Sequence, residues 1–223
     1  MRYPRQVAKN VFALGRWWGV LVYLIVGPAT ILVDTGPAGH AKKILSAVRT
    51  IGVDPSRIDH IVLTHFDYDH SGSAAQLSAE LQAPIALHTA DAPFLETPHM
   101  CPGIRRLLYR PPMPRILGWN RIPSNVALVA GDTVGDWTVV HTPGHTPGSI
   151  SLIRESVGIV GDALVFKRGR LRPNVWHLST DQAQQLASAK RLATADLHTI
   201  LPGHYAPCTN PHAIEQLRGG LDR

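Results

Sequence analysis

The hexapeptide His65-Phe66-Asp67-Tyr68-Asp69-His70 carries four metal-type side chains within six residues. It follows directly on the apolar run Ile61-Val62-Leu63, which predicts a short buried strand that ends where the hexapeptide begins. Imidazole and carboxylate groups are the usual protein ligands of zinc and of non-haem iron. The hexapeptide therefore predicts a metal-binding loop at the end of a strand. In an extended loop, alternation would turn Asp67 and Asp69 to the side that His65 occupies.

Three more side chains of the same type occur later in the chain, each after a glycine and beyond a predicted strand. They are His145 after Gly144, Asp162 after Gly161 and His204 after Gly203. Glycine allows backbone angles that turn the next side chain sharply into a cleft. Together with the hexapeptide, these positions predict a site for two metal ions.

In this order and spacing, the motifs resemble those of the metallo-β-lactamase superfamily. Its common pattern is His-x-His-x-Asp-His, followed by His, Asp and His at later strand ends, and Val33-Asp34-Thr35-Gly36 is similar to its entry motif. The resemblance covers nearly the whole chain and implies a single domain over residues 1–223, folded as an αββα four-layer sandwich. The implied ligands are His65, Asp67 and His145 for the first metal, Asp69, His70 and His204 for the second, and Asp162 as a bridge.

The resemblance implies a dinuclear metal-dependent hydrolase that cleaves an ester, lactone, thioester or related bond through a metal-bound hydroxide. Two divalent ions are the expected cofactors, zinc first, with iron or manganese as the other choices. Two alternatives stay open: a mononuclear iron oxidoreductase similar to persulfide dioxygenases, and a phosphodiesterase. The motifs do not select a substrate, because one fold and site serve many reactions.

Asp67 departs from the commoner family pattern, which has histidine at that place, and resembles a smaller His-x-Asp-x-Asp-His subgroup of the superfamily. Two divalent ions (+4), Asp67, Asp69 and Asp162 (−3) and a hydroxide (−1) give a formal charge of zero, whereas histidine would leave +1. The smaller positive charge should weaken the pull on bound water and raise its pKa. A further carboxylate also makes the site harder, so we predict tolerant metal use.

Several residues near the ligands are candidates for other roles. Within the hexapeptide, Asp69 and Tyr68 are candidate catalytic residues, and His177 and Tyr205 are candidates to bind a substrate oxygen. Asp34 is expected either to orient the ligand loop or merely to form a turn.

The segment from Thr97 to Pro123 interrupts the rhythm of strands and helices. It is rich in proline and contains five arginines and no acidic residue. We expect an irregular basic insertion at about 97–123 that is either a lid favouring anionic substrates or a solvated surface loop. Lys167 to His177 is expected to be a second irregular, basic stretch.

Composition narrows the class of protein. The chain has 223 residues, a formal net charge of +6, and two cysteines that form neither a disulfide framework nor a Cys-x-x-Cys pair, which predicts a cytoplasmic location. The apolar stretch Trp17 to Val33 is interrupted at Gly27-Pro28, which favours two buried strands over a membrane span. The expected partner is a small molecule, with basic charge favouring an anionic one. Nucleic acid is not expected, and the oligomeric state stays open.

Overall fold

Two β-sheets face each other at the centre of the molecule, and helices cover the outer face of each. The computed structural model describes residues 3–103, 105–110, 112–118, 122, 126–174 and 178–220. The layers are those of the αββα sandwich, so the predicted fold class is confirmed.

The first sheet contains seven strands, which lie side by side in chain order. They are β1 (Arg5–Ala8), β2 (Val11–Trp17), β3 (Val20–Ile25), β4 (Ile31–Val33), β5 (His60–Val62), β6 (Ile85–His88) and β7 (Val126–Leu128). Neighbours from β1 to β4 are antiparallel, and neighbours from β4 to β7 are parallel.

The second sheet contains five strands. In spatial order they are β14 (Thr199–Pro202), β11 (Val157–Gly161), β10 (Ile150–Arg154), β9 (Trp137–His141) and β8 (Thr133–Val134). Strand β14 runs parallel to β11, and the other neighbours are antiparallel. Strands β9, β11 and β14 therefore point the same way, and their carboxyl ends lie at one edge of the sheet.

Short helices connect and cover the sheets. They are α1 (Ala41–Thr50), α2 (Tyr68–Ser71), α3 (Ala74–Leu81), α4 (Ala92–Glu96), α5 (Arg105–Leu108), α6 (Met113–Ile116), α7 (Gln182–Thr194) and α8 (Pro211–Gly220), with single 3-10 turns at Pro55–Arg57 and Pro98–Met100. Helices α1 and α3 cover the first sheet, and α7 and α8 cover the second. Among the described residues, no helix is long and apolar enough to cross a membrane.

Strand β3 shows how one strand serves two layers. All six of its residues are buried, and side chains alternate across a strand. Val22 and Leu24 consequently pack beneath the helices, whereas Leu21 and Tyr23 pack between the two sheets. The Tyr23 hydroxyl donates to the Pro202 carbonyl at 2.7 Å, which ties the first sheet to the end of β14.

The prediction of an irregular stretch from Lys167 to His177 is wrong for residues 167–174, which are the part of it that the structure describes. Strands β12 (Leu164–Lys167) and β13 (Arg170–Pro173) form a hairpin that packs against α7 and α8. Arg168 and Gly169 make its two-residue loop, and both have positive φ, of 53° and 75°. Two such residues twist the chain as a hairpin requires, and the buried Leu164 and Leu171 hold the hairpin to the core.

Candidate metal centre

The hexapeptide is extended at first and helical afterwards. Asp67 has an extended backbone (φ −52°, ψ 140°), and α2 begins at the next residue. Asp67 therefore stays beside His65, with 3.5 Å between Oδ2 and Nε2, whereas the helix carries Asp69 to within 3.5 Å of His204. The expectation that Asp67 and Asp69 share one side is wrong, because alternation ends where the helix starts.

Two groups of metal-type donors converge, each with its donor atoms within 4.8 Å of one another. The first donor set is His65, His145 and Asp162, and the second donor set is Asp69, His70 and His204. Asp162 stands between them, because its Oδ2 lies 3.4 Å from His145 Nε2 and 3.3 Å from His204 Nε2. Six of the seven predicted ligands thus lie together, and Asp67 touches the first donor set.

The donor atoms face one another in a way that fits a cation among them. His70 Nε2 lies 3.3 Å from His204 Nε2. Among the described residues, His65 Nε2 and Asp162 Oδ1 are buried without a hydrogen-bond partner. Buried polar atoms are normally paired, because leaving them unpaired costs free energy. Nitrogen and carboxylate oxygen donors of this kind suit divalent metal ions.

The electrostatics of the second donor set also favour cations. Burial lowers the pKa of His70, but the carboxylates of Asp162, Asp34 and Asp69 outweigh it and raise that pKa to about 9. Burial likewise opposes protonation of His204, yet Asp162 and Asp69 raise its pKa to about 11. Both shifts have the same origin, an excess of buried negative charge.

Asp34 binds two residues of the ligand loop. Its carboxylate accepts hydrogen bonds from the backbone N–H of Thr64 at 2.8 Å and from the Thr64 hydroxyl, and its Oδ2 lies 2.9 Å from His70 Nδ1. Since Thr64 Oγ1 donates to Asp34, it is left to accept from His65 Nδ1 at 3.0 Å. Both histidines are therefore held through Nδ1 with Nε2 turned to the donor sets, an arrangement that is common among histidines that bind metal.

Asp34→Asn separates the two roles considered for Asp34. Asparagine forms turns and adopts the left-handed backbone (φ 60°) as readily as aspartate does. Its amide cannot, however, accept from every donor that the carboxylate serves. We expect the zinc affinity of the second donor set to fall about 10- to 100-fold, measured by competition with a chromophoric chelator. Asp54→Asn, at a remote exposed cap, is the control, and unchanged affinity in Asp34→Asn would leave only the turn role.

Asp91 joins the two loops that carry the first donor set, and sequence reasoning missed it. Its Oδ2 accepts from the Phe66 N–H at 3.1 Å and from the Thr146 hydroxyl at 2.7 Å, and its Oδ1 accepts from the Gly148 N–H at 2.6 Å. Burial raises the pKa of Asp91 to about 6, against the lowering effect of these hydrogen bonds. Because Asp91 directly precedes Ala92 at the start of a helix, the sequence marks it only as an ordinary helix N-cap.

Asn174 and Gln185 are also absent from the predicted site. Asn174 Nδ2 donates to Asp162 Oδ2 at 2.6 Å, and Gln185 Nε2 donates to the Asp162 carbonyl at 3.1 Å. Both side chains are buried and fix the position of Asp162. No local motif marks either residue, because their contacts cross 12 and 23 positions of the chain.

Asp67 is bound by two side chains from the arginine-rich segment. The buried Arg105 guanidinium, 3% exposed, donates from Nε to Asp67 Oδ1 at 2.8 Å and from Nη2 to Oδ2 at 2.5 Å. The Tyr109 hydroxyl donates to Asp67 Oδ1 at 3.0 Å. Burial raises the pKa of Asp67, but Arg105 outweighs burial and holds that pKa well below its usual range.

The donor sets open into a cavity of about 340 Å³. Trp18, Tyr68, Leu178 and Tyr205 form much of its wall. Burial and the Asp69 carboxylate raise the pKa of Tyr68 to about 12, so its hydroxyl keeps its proton. Of the predicted substrate-binding residues, Tyr205 is in the wall, and His177 lies outside the described residues.

Comparison with known proteins gives the class. Residues 15–204 match the model of the metallo-β-lactamase superfamily. The chain belongs to this superfamily and is, at that level, a metal-dependent hydrolase with a fold that binds divalent metal ions.

Particular relatives span most of the chain. It is 25% identical over 214 residues to the probable metallo-hydrolase YflN of Bacillus subtilis, covering 84% of this chain and 81% of that protein. It is 29% identical over 198 residues to metallo-beta-lactamase domain-containing protein 1 of Xenopus laevis, covering 83% and 70%. The crystal structure of BJP-1, a subclass B3 metallo-β-lactamase of Bradyrhizobium japonicum, superposes with a TM-score of 0.74 at 22% identity, covering 98% and 90%. At that identity, the superposition shows the fold alone.

Proposed function

We propose that this chain is a dinuclear hydrolase of small-molecule esters, lactones, thioesters or related compounds. The observation that carries the proposal is the pair of donor sets joined by Asp162 in the wall of one cavity. The first donor set, together with Asp67, would hold one ion, and the second donor set would hold the other. Zinc suits these donors best, and the carboxylates also admit iron or manganese.

Metal ions bound here would activate water and polarise the bond to be cleaved. The chain's own residues fix the donors. Asp34 orients His70, and Asp91 ties together the loops of His65 and His145. Tyr68 and Tyr205 lie in the wall of the cavity and are proposed to bind a substrate oxygen.

The cavity favours a substrate with an apolar part. Its volume of about 340 Å³ lies at the lower end of ordinary ligand sites. Trp18 is 71% exposed and packs edge-to-face on Tyr68, with ring centroids 6.0 Å apart. Beside this apolar wall, the ammonium of Lys167 lies 4.4 Å from the centre of the Tyr205 ring and donates to its hydroxyl. Lys167 could therefore meet an acidic group on the substrate.

A substrate panel with metal analysis tests the proposal. Protein with zinc restored is expected to bind about two ions per chain and to hydrolyse members of a panel of esters, lactones and thioesters. Removing metal with a chelator is expected to abolish activity, and adding zinc back to restore it. Phosphodiesters, a β-lactam and a persulfide with oxygen-uptake detection complete the panel.

Three outcomes would contradict the proposal. Hydrolysis that continues after the metal has been chelated would show that the reaction does not need metal. Oxygen uptake with a persulfide at one iron per chain would select the dioxygenase alternative, and cleavage of phosphodiesters alone would select the phosphodiesterase.

A further inference from the structure

Arg105 reaches past Asp67 to the first donor set. Its Nη2 lies 2.8 Å from His145 Nε2 as well as 2.5 Å from Asp67 Oδ2. A guanidinium has donors only, so His145 Nε2 must accept this hydrogen bond with its lone pair. That nitrogen is the atom with which His145 joins the first donor set.

Other contacts hold the guanidinium in this place. Its Nη1 donates to the carbonyl of Leu178, and its Nε and Nη2 form a two-pronged pair with the Asp67 carboxylate. Such planar pairs fix direction as well as charge. Tyr109, one turn along from Arg105, donates to the same carboxylate. These contacts hold the Arg105 guanidinium in one position beside the first donor set.

The second donor set has a different environment. His204 Nε2 lies 3.5 Å from Asp69 Oδ2 and 3.3 Å from Asp162 Oδ2, and His70 Nδ1 lies 2.9 Å from Asp34 Oδ2. His145 Nε2 also lies near carboxylates, 3.1 Å from Asp67 Oδ2 and 3.4 Å from Asp162 Oδ2, but there the Arg105 guanidinium offsets part of their negative charge. A divalent cation is therefore favoured more strongly at the second donor set than at the first.

We propose that Arg105 competes with metal for Asp67 and His145, so that the second donor set fills first and the first fills only at higher metal concentration. This inference rests on the proposed dinuclear function. It also revises the formal charge at the centre. Arg105 adds one positive charge to the count of zero and restores the +1 that the commoner histidine would give. The Asp67–Arg105 pair thus has the same formal charge as a neutral histidine at position 67. In that pair, however, Arg105 occupies the oxygens with which Asp67 would bind metal.

Zinc titration of chelator-stripped protein tests the proposal by calorimetry, without reference to activity. The wild type is expected to bind two ions in two steps that differ at least about tenfold in affinity, with Asp69→Asn removing the stronger step. Arg105→Gln is expected to tighten the weaker step about 10- to 100-fold, the scale on which a neighbouring charge shifts an equilibrium. The stronger step should not change. Arg106→Gln is the matched control, because Arg106 is exposed on the same helix.

Arg105→Lys covers the case in which the glutamine variant does not fold. It keeps the charge but lacks the planar fork, so the weaker step should stay weak. Equal affinities in the wild type, or a weaker step that Arg105→Gln leaves unchanged or loosens, would overturn the inference and leave the hydrolase intact. If neither wild type nor Arg105→Gln binds a second ion, the dinuclear function itself fails and this inference fails with it.

Discussion

Asp162→Asn is expected to lower kcat/KM for hydrolysis at least about 10³-fold. Metal ions typically contribute several kcal/mol to stabilising the transition state, and each 1.4 kcal/mol or so is tenfold in rate. The carboxylate stands between both donor sets, within 3.4 Å of His145 and 3.3 Å of His204. Asparagine keeps the shape of aspartate but replaces one oxygen with an NH2 donor and removes the negative charge, so a single neutral oxygen would remain where two ions are to be held.

The measurement combines kcat/KM on the best substrate of the panel with metal content per chain. Asp196→Asn is the matched control, because the Asp196 side chain is 90% exposed and its ion-pair partner is His198, at 3.3 Å. The control should keep wild-type activity and metal content. Two bound ions and activity within tenfold of wild type in Asp162→Asn would show that Asp162 is no bridge.

Gly144→Ala is expected to destabilise the fold by about 2–6 kcal/mol, the sum of backbone strain and overpacking. Gly144 has φ of +129°, which side chains rarely adopt. An added Cβ would lie 2.1 Å from the backbone nitrogen of Gln185 and 2.3 Å from its Cα. These atoms belong to the buried side of α7, so they cannot swing away as a surface side chain would.

Urea unfolding of the variant and the wild type at equal metal loading measures this loss. Gly52→Ala is the control, because Gly52 also has positive φ (+79°) but nothing within 4 Å of the added Cβ. It should lose only about 1–2 kcal/mol, the cost of the left-handed backbone. Equal losses in the two variants would show that the contact with α7 contributes nothing.

The fold class and the candidate ligands could be predicted from the sequence because both depend on short-range patterns. The apolar run of β5 runs directly into His65, and a glycine precedes each later ligand at a strand end. Strand direction brings the ends of β9, β11 and β14 to one edge of the second sheet, and the packing of the two sheets places the end of β5 beside that edge, where six predicted ligands converge. The sequence was less informative for the basic stretch that begins at Lys167. Its composition predicted an irregular segment, whereas Arg168 and Gly169 form the loop of a β-hairpin.

The sequence by itself predicted which side chains converge at the candidate metal centre, because each lies beyond the end of the strand that positions it. Only the tertiary structure decided how they are held and charged. Arg105 meets Asp67 across 38 positions, and Asp91 meets Phe66 and Gly148 across 25 and 57. No spacing rule links such residues, since packing of separate segments creates these contacts. The formal charge assigned to the site with two divalent ions and a hydroxide differs for that reason. It is zero when Asp67 is counted without Arg105 and +1 when Arg105 is included.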